Sequence, residues 1–261
     1  MNVYKRAKTF VRTVRLYKSW PLLIRSSLPG FRMAEPTVCV LRNGISYEVA
    51  SWSDLHVIKE IWTHAHYGRL LPEIRESSVV IDIGAHIGVF SIMAARRAPG
   101  VRVFAFEPLP ENFLRFTKNI ARNVLAGQIT AVQQAVGGTR GTRDLYMMPE
   151  RFSPSLHPLA GSEGKVSVAC VTLADIFDAH GIATCDFLKI DCEGAEYEIL
   201  MSTPPEYFKR IRSITLETHD HLGLALQGDV HSLAAFLKNL NFEVAISEDP
   251  AHLLFARNLS M

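Results

Sequence analysis

Short apolar runs alternate with amphipathic helices from residue 79 to the end of the chain. The runs predict buried strands at Val79–Ile83, Val101–Phe106, Ile129–Val136, Phe187–Ile190 and Ile214–Leu216. Because strands that are separated by helices pair in parallel, this alternation predicts an α/β domain with a mostly parallel sheet covered on both faces. A closing hairpin, Phe242–Ile246 with Leu253–Ala256, predicts an antiparallel strand at the end of the chain.

Two further groups of elements precede or interrupt this alternation. Thr37–Val49 predicts a β-hairpin that turns at an Asn-Gly pair, and Ser53 is placed to cap the helix that follows. Leu145–Met148 and Lys165–Val171 predict an inserted pair of strands. The predicted parts of the chain are a basic N-terminal segment (residues 1–35), an N-terminal hairpin and helix (36–76) and the main domain (77–261).

The four cysteines lie far apart and form no C-x-x-C pair. This spacing argues against a zinc site and a disulfide framework, and it suits a reducing compartment. No apolar stretch near the start is long enough for a signal peptide, and none in the chain reaches the roughly 18 residues of a membrane span. We therefore expect a soluble cytoplasmic protein.

Residues 1–34 carry eight basic side chains and no acidic one, whereas the formal net charge of the whole chain is only +2. Subtracting eight from +2 leaves −6 for the rest of the chain. We expect a helix that leaves its charges in solvent and packs its apolar side chains on the domain: Val3, Phe10, Val11, Val14 and Leu16. One alternative is peripheral contact of residues 1–32 with anionic lipid at the inner membrane face, through Trp20 and Phe31. The other is an acidic partner or nucleic acid, which we do not expect because the remaining chain is acidic and contains no recognisable binding module.

The first predicted strand ends in a loop with two glycines, Gly84 and Gly88. In an open α/β sheet such a loop lies at the carboxyl edge, where ligands bind. Gly84 allows a tight turn and the approach of a ligand, and Gly88 allows the next helix to pack closely. A dinucleotide fingerprint would need glycines where His86 and Val89 stand, so the loop does not predict an NAD site. Asp82 instead suits a ligand that carries a positive amine and a sulfonium.

Glu107 ends the second predicted strand, 25 residues after Asp82, and Pro108 then turns the chain away. A carboxylate at this place can accept hydrogen bonds from both hydroxyls of a ribose. The third predicted strand ends at Gln134-Ala135-Val136, which is placed to bracket an adenine ring. The glycine loop, Glu107 and this strand end together predict a site for an adenosyl cofactor.

Three blocks of the sequence resemble the FkbM-type methyltransferases: Val79–Gly88, Phe106-Glu107-Pro108 with Asn112, and Phe187–Glu196. The resemblance covers residues 50–257 and is most specific at Leu188–Glu196. It implies the class I methyltransferase fold, a Rossmann-like, mostly parallel seven-stranded sheet with an antiparallel C-terminal strand. It also implies S-adenosylmethionine as the methyl donor, and O-methylation in sugar, polysaccharide or natural-product pathways.

Two positions depart from the family's pattern. His86 stands where asparagine is frequent, and Cys192 stands where a small aliphatic residue is common. The resemblance also places Tyr67 near the cofactor. The predicted cofactor-binding residues are Asp82, Gly84, Ala85, His86, Gly88, Glu107, Pro108, Asn112, Gln134, Ala135, Asp191 and Tyr67.

Acidic and histidine side chains follow two strands that we expect to be neighbours. Asp191 and Glu193 follow the fourth predicted strand, and Glu217 and His219 follow the fifth. Methyl transfer from a sulfonium needs an aligned acceptor and a group that takes its proton. His219 is predicted to be that base because its ordinary pKa lies near neutrality. Glu193 is the alternative base or a helix cap, and Asp191 is placed to hold the cofactor's amino-acid end or a substrate hydroxyl.

Lys189 lies just before this cluster and is predicted to be the ion-pair partner of its carboxylates. The cluster contains enough ligands for Mg²⁺, but carboxylates at strand ends more often bind a cofactor or sugar hydroxyls, and we predict no metal. The leading function is O-methylation of a hydroxyl on a sugar, glycan or small metabolite. The alternatives are an N-methyltransferase, although the Asn/Asp-Pro-Pro-Tyr pattern of many amino methylases is absent, and an inactive cofactor-binding scaffold.

Overall fold

The computed structural model describes residues 3–64, 73–148, 154–158, 161–219, 229–247 and 253–261. Within these ranges the strands are β1 (Thr37–Val40), β2 (Ser46–Val49), β3 (Val79–Ile83), β4 (Arg102–Phe106), β5 (Ile129–Val132), β6 (Ala135–Val136), β7 (Gly141–Met147), β8 (Gly164–Val171), β9 (Cys185–Ile190), β10 (Ile211–Glu217), β11 (Phe242–Ile246) and β12 (Leu253–Asn258). The helices are α1 (Val3–Leu16), α2 (Trp20–Arg25), α3 (Trp52–Ile58), α4 (Val89–Ala95), α5 (Pro110–Arg122), α6 (Leu173–Ala179), α7 (Glu196–Ser202), α8 (Pro205–Phe208) and α9 (Val230–Asn239). A π-helix, Lys59–His64, continues α3.

Seven strands form the central sheet, in the order β11-β12-β10-β9-β3-β4-β5. β12 runs antiparallel to both of its neighbours, and the other strand pairs are parallel. This arrangement confirms the predicted fold class, including the antiparallel C-terminal strand. It also confirms that the fourth and fifth predicted strands, now β9 and β10, are neighbours.

Each face of the sheet has its own hydrophobic core, because successive side chains of a strand point to opposite faces. Ile81 and Ile83 of β3 pack in the core that contains α6, α7 and α9. Val80, between them, packs in the second core, with Phe90 of α4 and Phe116 of α5. The predicted covering of both faces is therefore confirmed.

A three-stranded sheet, in the order β6-β8-β7, accounts for the inserted strands that the sequence predicted. The prediction of one continuous strand from Ile129 to Val136 was wrong. β5 ends at Val132, where the Gln134 amide turns back to donate to the Val132 carbonyl (3.1 Å), and Ala135 then pairs with β8. The polar pair at residues 133 and 134 does not fit a buried strand, so the chain changes sheets there.

The N-terminal hairpin forms as predicted, with β1 and β2 antiparallel. The cap of the next helix was predicted at Ser53, and the structure places it at Ser51. Ser51 has extended backbone and accepts from the Asp54 amide, while the Asp54 carboxylate accepts from the Ser51 amide. This reciprocal capping box satisfies two amides that begin a helix without partners.

The basic segment forms helix α1, and Leu16 packs on the domain core as expected, but the rest of the buried face differs from the expectation. Thr13 and Tyr17 are buried, whereas Phe10 and Val11 are each 47% exposed. Tyr17 belongs to the same core as Val80, so the core is continuous from the N-terminal elements to the sheet. The division of the chain at residues 35 and 76 stays a prediction. No helix in the described ranges is long and apolar enough to cross a membrane.

Candidate active site

A cavity of about 310 Å³ opens at the carboxyl ends of β3, β4, β9 and β10. Small-molecule sites in proteins range over roughly 300–1,000 Å³. The predicted site residues that line it are Gly84, Ala85, His86, Glu107, Pro108, Asn112, Gln134, Ala135, Asp191, Glu193 and His219. Asp82 and Gly88 are not among its lining residues, and Tyr67 lies outside the described residues.

The two glycines of the first loop are required by the protein's own packing. Gly84 has a φ of +77°, and a Cβ there would lie 1.7 Å from the backbone oxygen of Asp191. Gly88 has a φ of +84°, and a Cβ there would overlap the Phe116 ring of α5. The sequence predicted room for a ligand at Gly84 and for the following helix at Gly88. The closest neighbours are instead the end of β9 and the helix after β4.

Asp82 lies beneath the cavity and pairs with Lys189. The Lys189 ammonium is 3.1 Å from Asp82 and 3.4 Å from Asp191, and it donates to the Gly84 carbonyl (2.8 Å). Asp82 also accepts from the Ser91 hydroxyl (2.6 Å). Burial opposes the lysine charge, but the two carboxylates outweigh it and raise the pKa of Lys189. The predicted ion pair is present, and Asp82 is fully buried. The predicted contact of Asp82 with the cofactor stays a prediction.

Glu107 is held in one orientation at the end of β4. Its carboxylate accepts from the amides of His86 (2.8 Å) and Leu109 (3.0 Å) and from the side chain of Asn112 (3.4 Å). Burial raises the pKa of Glu107, and the interactions with His86, Leu109 and Asn112 offset only part of that rise. Each carboxylate oxygen has a second lone pair, so the fixed group can still accept hydrogen bonds from a ligand.

His86 connects the first loop to the N-terminal elements. Its backbone has a φ of +52°, and its ring Nε2 lies 3.4 Å from the buried Asp54 carboxylate of α3. His86, which stands where the family frequently has asparagine, therefore has a close polar contact within the chain. Sequence reasoning missed the wall that α3 and the π-helix add to the cavity with Trp52, His56 and Glu60. Their spacing of four residues on a helix is the signal that was available for finding them.

Asp191, Glu193, Glu217 and His219 line the cavity together, as the sequence predicted, and we call them the strand-end cluster. His219 lies between two carboxylates. Its Nδ1 is 2.9 Å from Glu196, and its Nε2 is 3.3 Å from Glu193. Burial opposes the imidazole charge, but the carboxylates outweigh it and raise the pKa of His219 well above 6.5. A raised pKa favours the protonated imidazole, which cannot accept a proton. The role of His219 as the base stays a prediction.

Glu193 does not cap α7, and Glu196 instead holds the loop that leads into this helix. Glu196 begins α7, and its carboxylate accepts from the amides of Gly194 (3.0 Å) and Cys192 (3.1 Å). Glu193 has a φ of +57°, and its carbonyl accepts from the Ser155 hydroxyl (2.6 Å). This backbone turn leaves the Glu193 side chain on the cavity wall.

Glu217 of the strand-end cluster has a raised pKa. Burial, and then the charge of Asp191, raise the pKa of Glu217 to about 9. Its carboxyl group is therefore protonated at neutral pH and can donate a hydrogen bond into the cavity.

Asp191, Glu193 and His219 each offer one ligand atom, and these atoms lie within 4.8 Å of one another. Such a group is compatible with a metal ion by distance alone. Both ring nitrogens of His219 already face carboxylates, however, so an imidazolium provides positive charge at this place. The absence of a metal stays a prediction.

Comparison with known proteins bears on the activity. Residues 82–244 match the family model described as the methyltransferase FkbM domain. 31-O-demethyl-FK506 methyltransferase FkbM of Streptomyces tacrolimicus is 30% identical over 222 residues, covering 74% of this chain and 83% of the relative. Methyltransferase sdnD of Sordaria araneosa is 25% identical over 228 residues, covering 76% and 85%. Hexuronic acid methyltransferase AglP of Haloferax volcanii is 24% identical over 193 residues, covering 74% and 76%. This chain belongs to the FkbM family of methyltransferases.

Proposed function

We propose that this chain transfers a methyl group from S-adenosylmethionine to a hydroxyl of a sugar, a glycan or a small metabolite. The observation that carries the proposal is one cavity that joins Glu107 to the strand-end cluster. A carboxylate fixed at the end of β4 suits a ribose, and a group of carboxylates at the neighbouring strand ends suits an acceptor hydroxyl.

The cavity offers a suitable group for each part of the donor. Glu107 would accept hydrogen bonds from the ribose hydroxyls, while Gln134 and Ala135 would contact the adenine. Asp191, beside the Gly84 loop, would hold the ammonium of the methionine part. When bound, the donor supplies a methyl group on a positively charged sulfur, which is already activated for displacement.

The side chains of the strand-end cluster would have different roles in the removal of the acceptor's proton. Glu193 would accept the hydroxyl proton, because its side chain is 25% exposed whereas that of His219 is only 6% exposed. His219, held by Glu196, would act as a positioning residue that keeps the Glu193 carboxylate ionised and oriented. The protonated Glu217 would donate a hydrogen bond to another oxygen of the acceptor.

The names of two relatives support a hydroxyl as the acceptor. The Streptomyces relative is named for a substrate that lacks a methyl group on an oxygen, and the Haloferax relative is named for a hexuronic acid. We extend this chemistry to the present chain as a proposal.

The donor is tested by isothermal titration with S-adenosylmethionine and with its demethylated product. Replacing Glu107 with alanine should weaken binding about 10- to 100-fold, because hydrogen bonds to a charged group are lost. The matched control is Glu111→Ala, an exposed carboxylate in the first turn of α5, which should not change the affinity. No binding of either compound at millimolar concentration would refute the proposal.

The acceptor is tested with a panel of sugars, hydroxylated metabolites and amines, by transfer of a labelled methyl group. Glu193→Gln should reduce turnover on the hydroxyl acceptor by at least about 100-fold, as expected for loss of a general base, with Glu206→Gln as the exposed control. His219→Gln should lower kcat without changing donor affinity. Methylation of amines alone would refute O-methylation, and donor binding without any turnover would favour the scaffold alternative.

A further inference from the structure

One buried carboxylate, Asp54 of α3, joins the N-terminal elements to the end of the cavity that contains Glu107. The Asp54 side chain is completely buried, and its Oδ1 lies 3.4 Å from the ring Nε2 of His86. Its Oδ2 lies 3.7 Å from the Nε of Arg115, on α5. A buried carboxylate attracts positive and hydrogen-bonding groups, so Asp54 draws both of these residues toward α3.

Both residues continue to Glu107, the carboxylate that we assign to the ribose of the donor. On one side, the His86 amide donates to Oε2 of Glu107 (2.8 Å). On the other side, the Arg115 guanidinium donates to the side-chain oxygen of Asn112 (2.7 Å). The side-chain amide of Asn112 in turn donates to Oε1 of Glu107 (3.4 Å). These five residues, with Asp54, form a closed ring of polar contacts that we call the Asp54 network.

We propose that Asp54 is a positioning residue for donor binding, which fixes the Glu107 carboxylate through both arms of the Asp54 network. The two arms reach different oxygens of Glu107, so together they determine how the carboxylate is rotated. A group that is already oriented loses less conformational freedom when a ligand binds. The effect on the donor rests on the proposed function, whereas the fixing of Glu107 does not.

Asp54 also completes the capping box of α3, and this second role requires a control. Its carboxylate accepts from the Ser51 amide (3.0 Å). Asp175 has the same place in the capping box of α6, where it accepts from the Thr172 amide (3.0 Å). Asp175 is not among the described residues that line the cavity. Asp175→Asn therefore removes the charge of a capping-box aspartate at a distance from the site.

The fixing of Glu107 is tested in the full chain without a ligand, by NMR measurement of hydrogen exchange at the His86 amide. Asp54→Asn should speed this exchange at least about 10-fold, because the amide loses a fixed acceptor and opens more often. The Gly84 amide of the same loop donates to the Phe106 carbonyl (3.0 Å) and should keep its native rate, which excludes a general loosening. Asp175→Asn should change neither rate.

Donor binding is measured by isothermal titration with the demethylated product of the donor. Asp54→Asn should weaken binding about 5-fold. This loss is smaller than that expected for Glu107→Ala, because the Leu109 amide still holds the Glu107 carboxylate (3.0 Å). In the Glu107→Ala background, Asp54→Asn should change the affinity less than about twofold, since Asp54 acts through the group that is already removed. Asp175→Asn should leave the affinity unchanged.

A second variant tests the other arm and applies even if Asp54→Asn does not fold. Arg115→Gln removes the arm that runs through Asn112 and leaves the capping box of α3 in place. It should weaken donor binding and speed the same amide exchange, each about 3-fold. The matched control is Lys118→Gln, which removes a contact between α5 and Glu48 of β2 (2.9 Å) outside the Asp54 network and should change neither value.

Unchanged donor affinity or unchanged exchange at His86 in Asp54→Asn and Arg115→Gln would overturn the proposal. An additive loss in the double variant with Glu107→Ala, or equal changes in Asp175→Asn, would overturn it as well. If the native protein binds no donor at millimolar concentration, the proposed function is refuted. The exchange measurement then decides by itself whether Asp54 fixes Glu107.

Discussion

Replacement of Glu217 by glutamine measures how much the raised pKa of this carboxyl group lowers the free energy of unfolding at neutral pH. Burial and the charge of Asp191 raise the pKa of Glu217 from 4.5 to about 9. The folded protein therefore retains a proton that the unfolded chain releases once the pH exceeds 4.5. Stability that is fully present below pH 4.5 is lost progressively as the pH rises toward 9. Glutamine has nearly the same shape as the protonated acid and carries no proton to lose.

The expected gain in the free energy of unfolding follows from the difference between the pH of the measurement and 4.5, the ordinary pKa of glutamate. Each unit corresponds to about 1.4 kcal/mol, so three units between 4.5 and pH 7.5 set an upper limit of about 4 kcal/mol. Water reaches part of the side chain in the open cavity, and we therefore expect about half of this limit, about 2 kcal/mol. For a chain of this size such a gain raises the melting temperature by about 4–8 °C. At pH 5 the expected gain is only about 0.3 kcal/mol.

Thermal and urea unfolding of the native protein and of Glu217→Gln, measured from pH 5 to pH 9, provide the test. Glu243→Gln, at an exposed position of β11, is the matched control and should not change the pH dependence. A gain that is the same at pH 5.5 and pH 8.5, or a loss at both, would refute the assignment of a protonated Glu217.

Three further predictions concern the framework of the site. Gly84→Ala should lower the free energy of unfolding by at least about 3 kcal/mol, since its Cβ would meet the Asp191 backbone, whereas Gly127→Ala, with open space around it, should have a small effect in the same urea titration. Lys189→Met should cost about 3–5 kcal/mol because Asp82 is left buried without its cation, and an unchanged urea midpoint would contradict the pairing. Excess EDTA should leave turnover unchanged, because the buried histidine of the strand-end cluster faces carboxylates at both ring nitrogens. Activity that EDTA removes and Mg²⁺ restores would show that a metal takes part.

Local patterns were sufficient where a residue's role depends on its near neighbours in sequence. The apolar runs predicted the central strands, and the register that pairs Asp82 with Lys189 follows from their place in adjacent parallel strands. Local patterns failed where two neighbouring residues suited the same structural role equally well. Ser51 and Ser53 both lie at the start of α3, and only the extended backbone of Ser51 allowed the reciprocal bonds with Asp54.

The cofactor loop and the strand-end carboxylates were predictable because glycines and acids at strand ends are recognisable in sequence. The charge state of each side chain in the strand-end cluster could not be predicted from the sequence. Sequence indicated a neutral base at His219, whereas the tertiary structure surrounds that ring with Glu193 and Glu196, which raise the pKa of its imidazole.

The sequence by itself determined the parallel order of strands and helices in the main domain, the edge of the sheet that carries the site, and the family to which the chain belongs. Periodicity, turn residues and motif spacing are properties of short stretches, and they are therefore readable without coordinates. Only the tertiary structure decided that Gly84 faces the end of β9, that Phe10 and Val11 stay exposed, and that Glu217 holds a proton. Close packing, exposure and pKa depend on burial and on charges brought together from distant parts of the chain, and no local pattern encodes those distances.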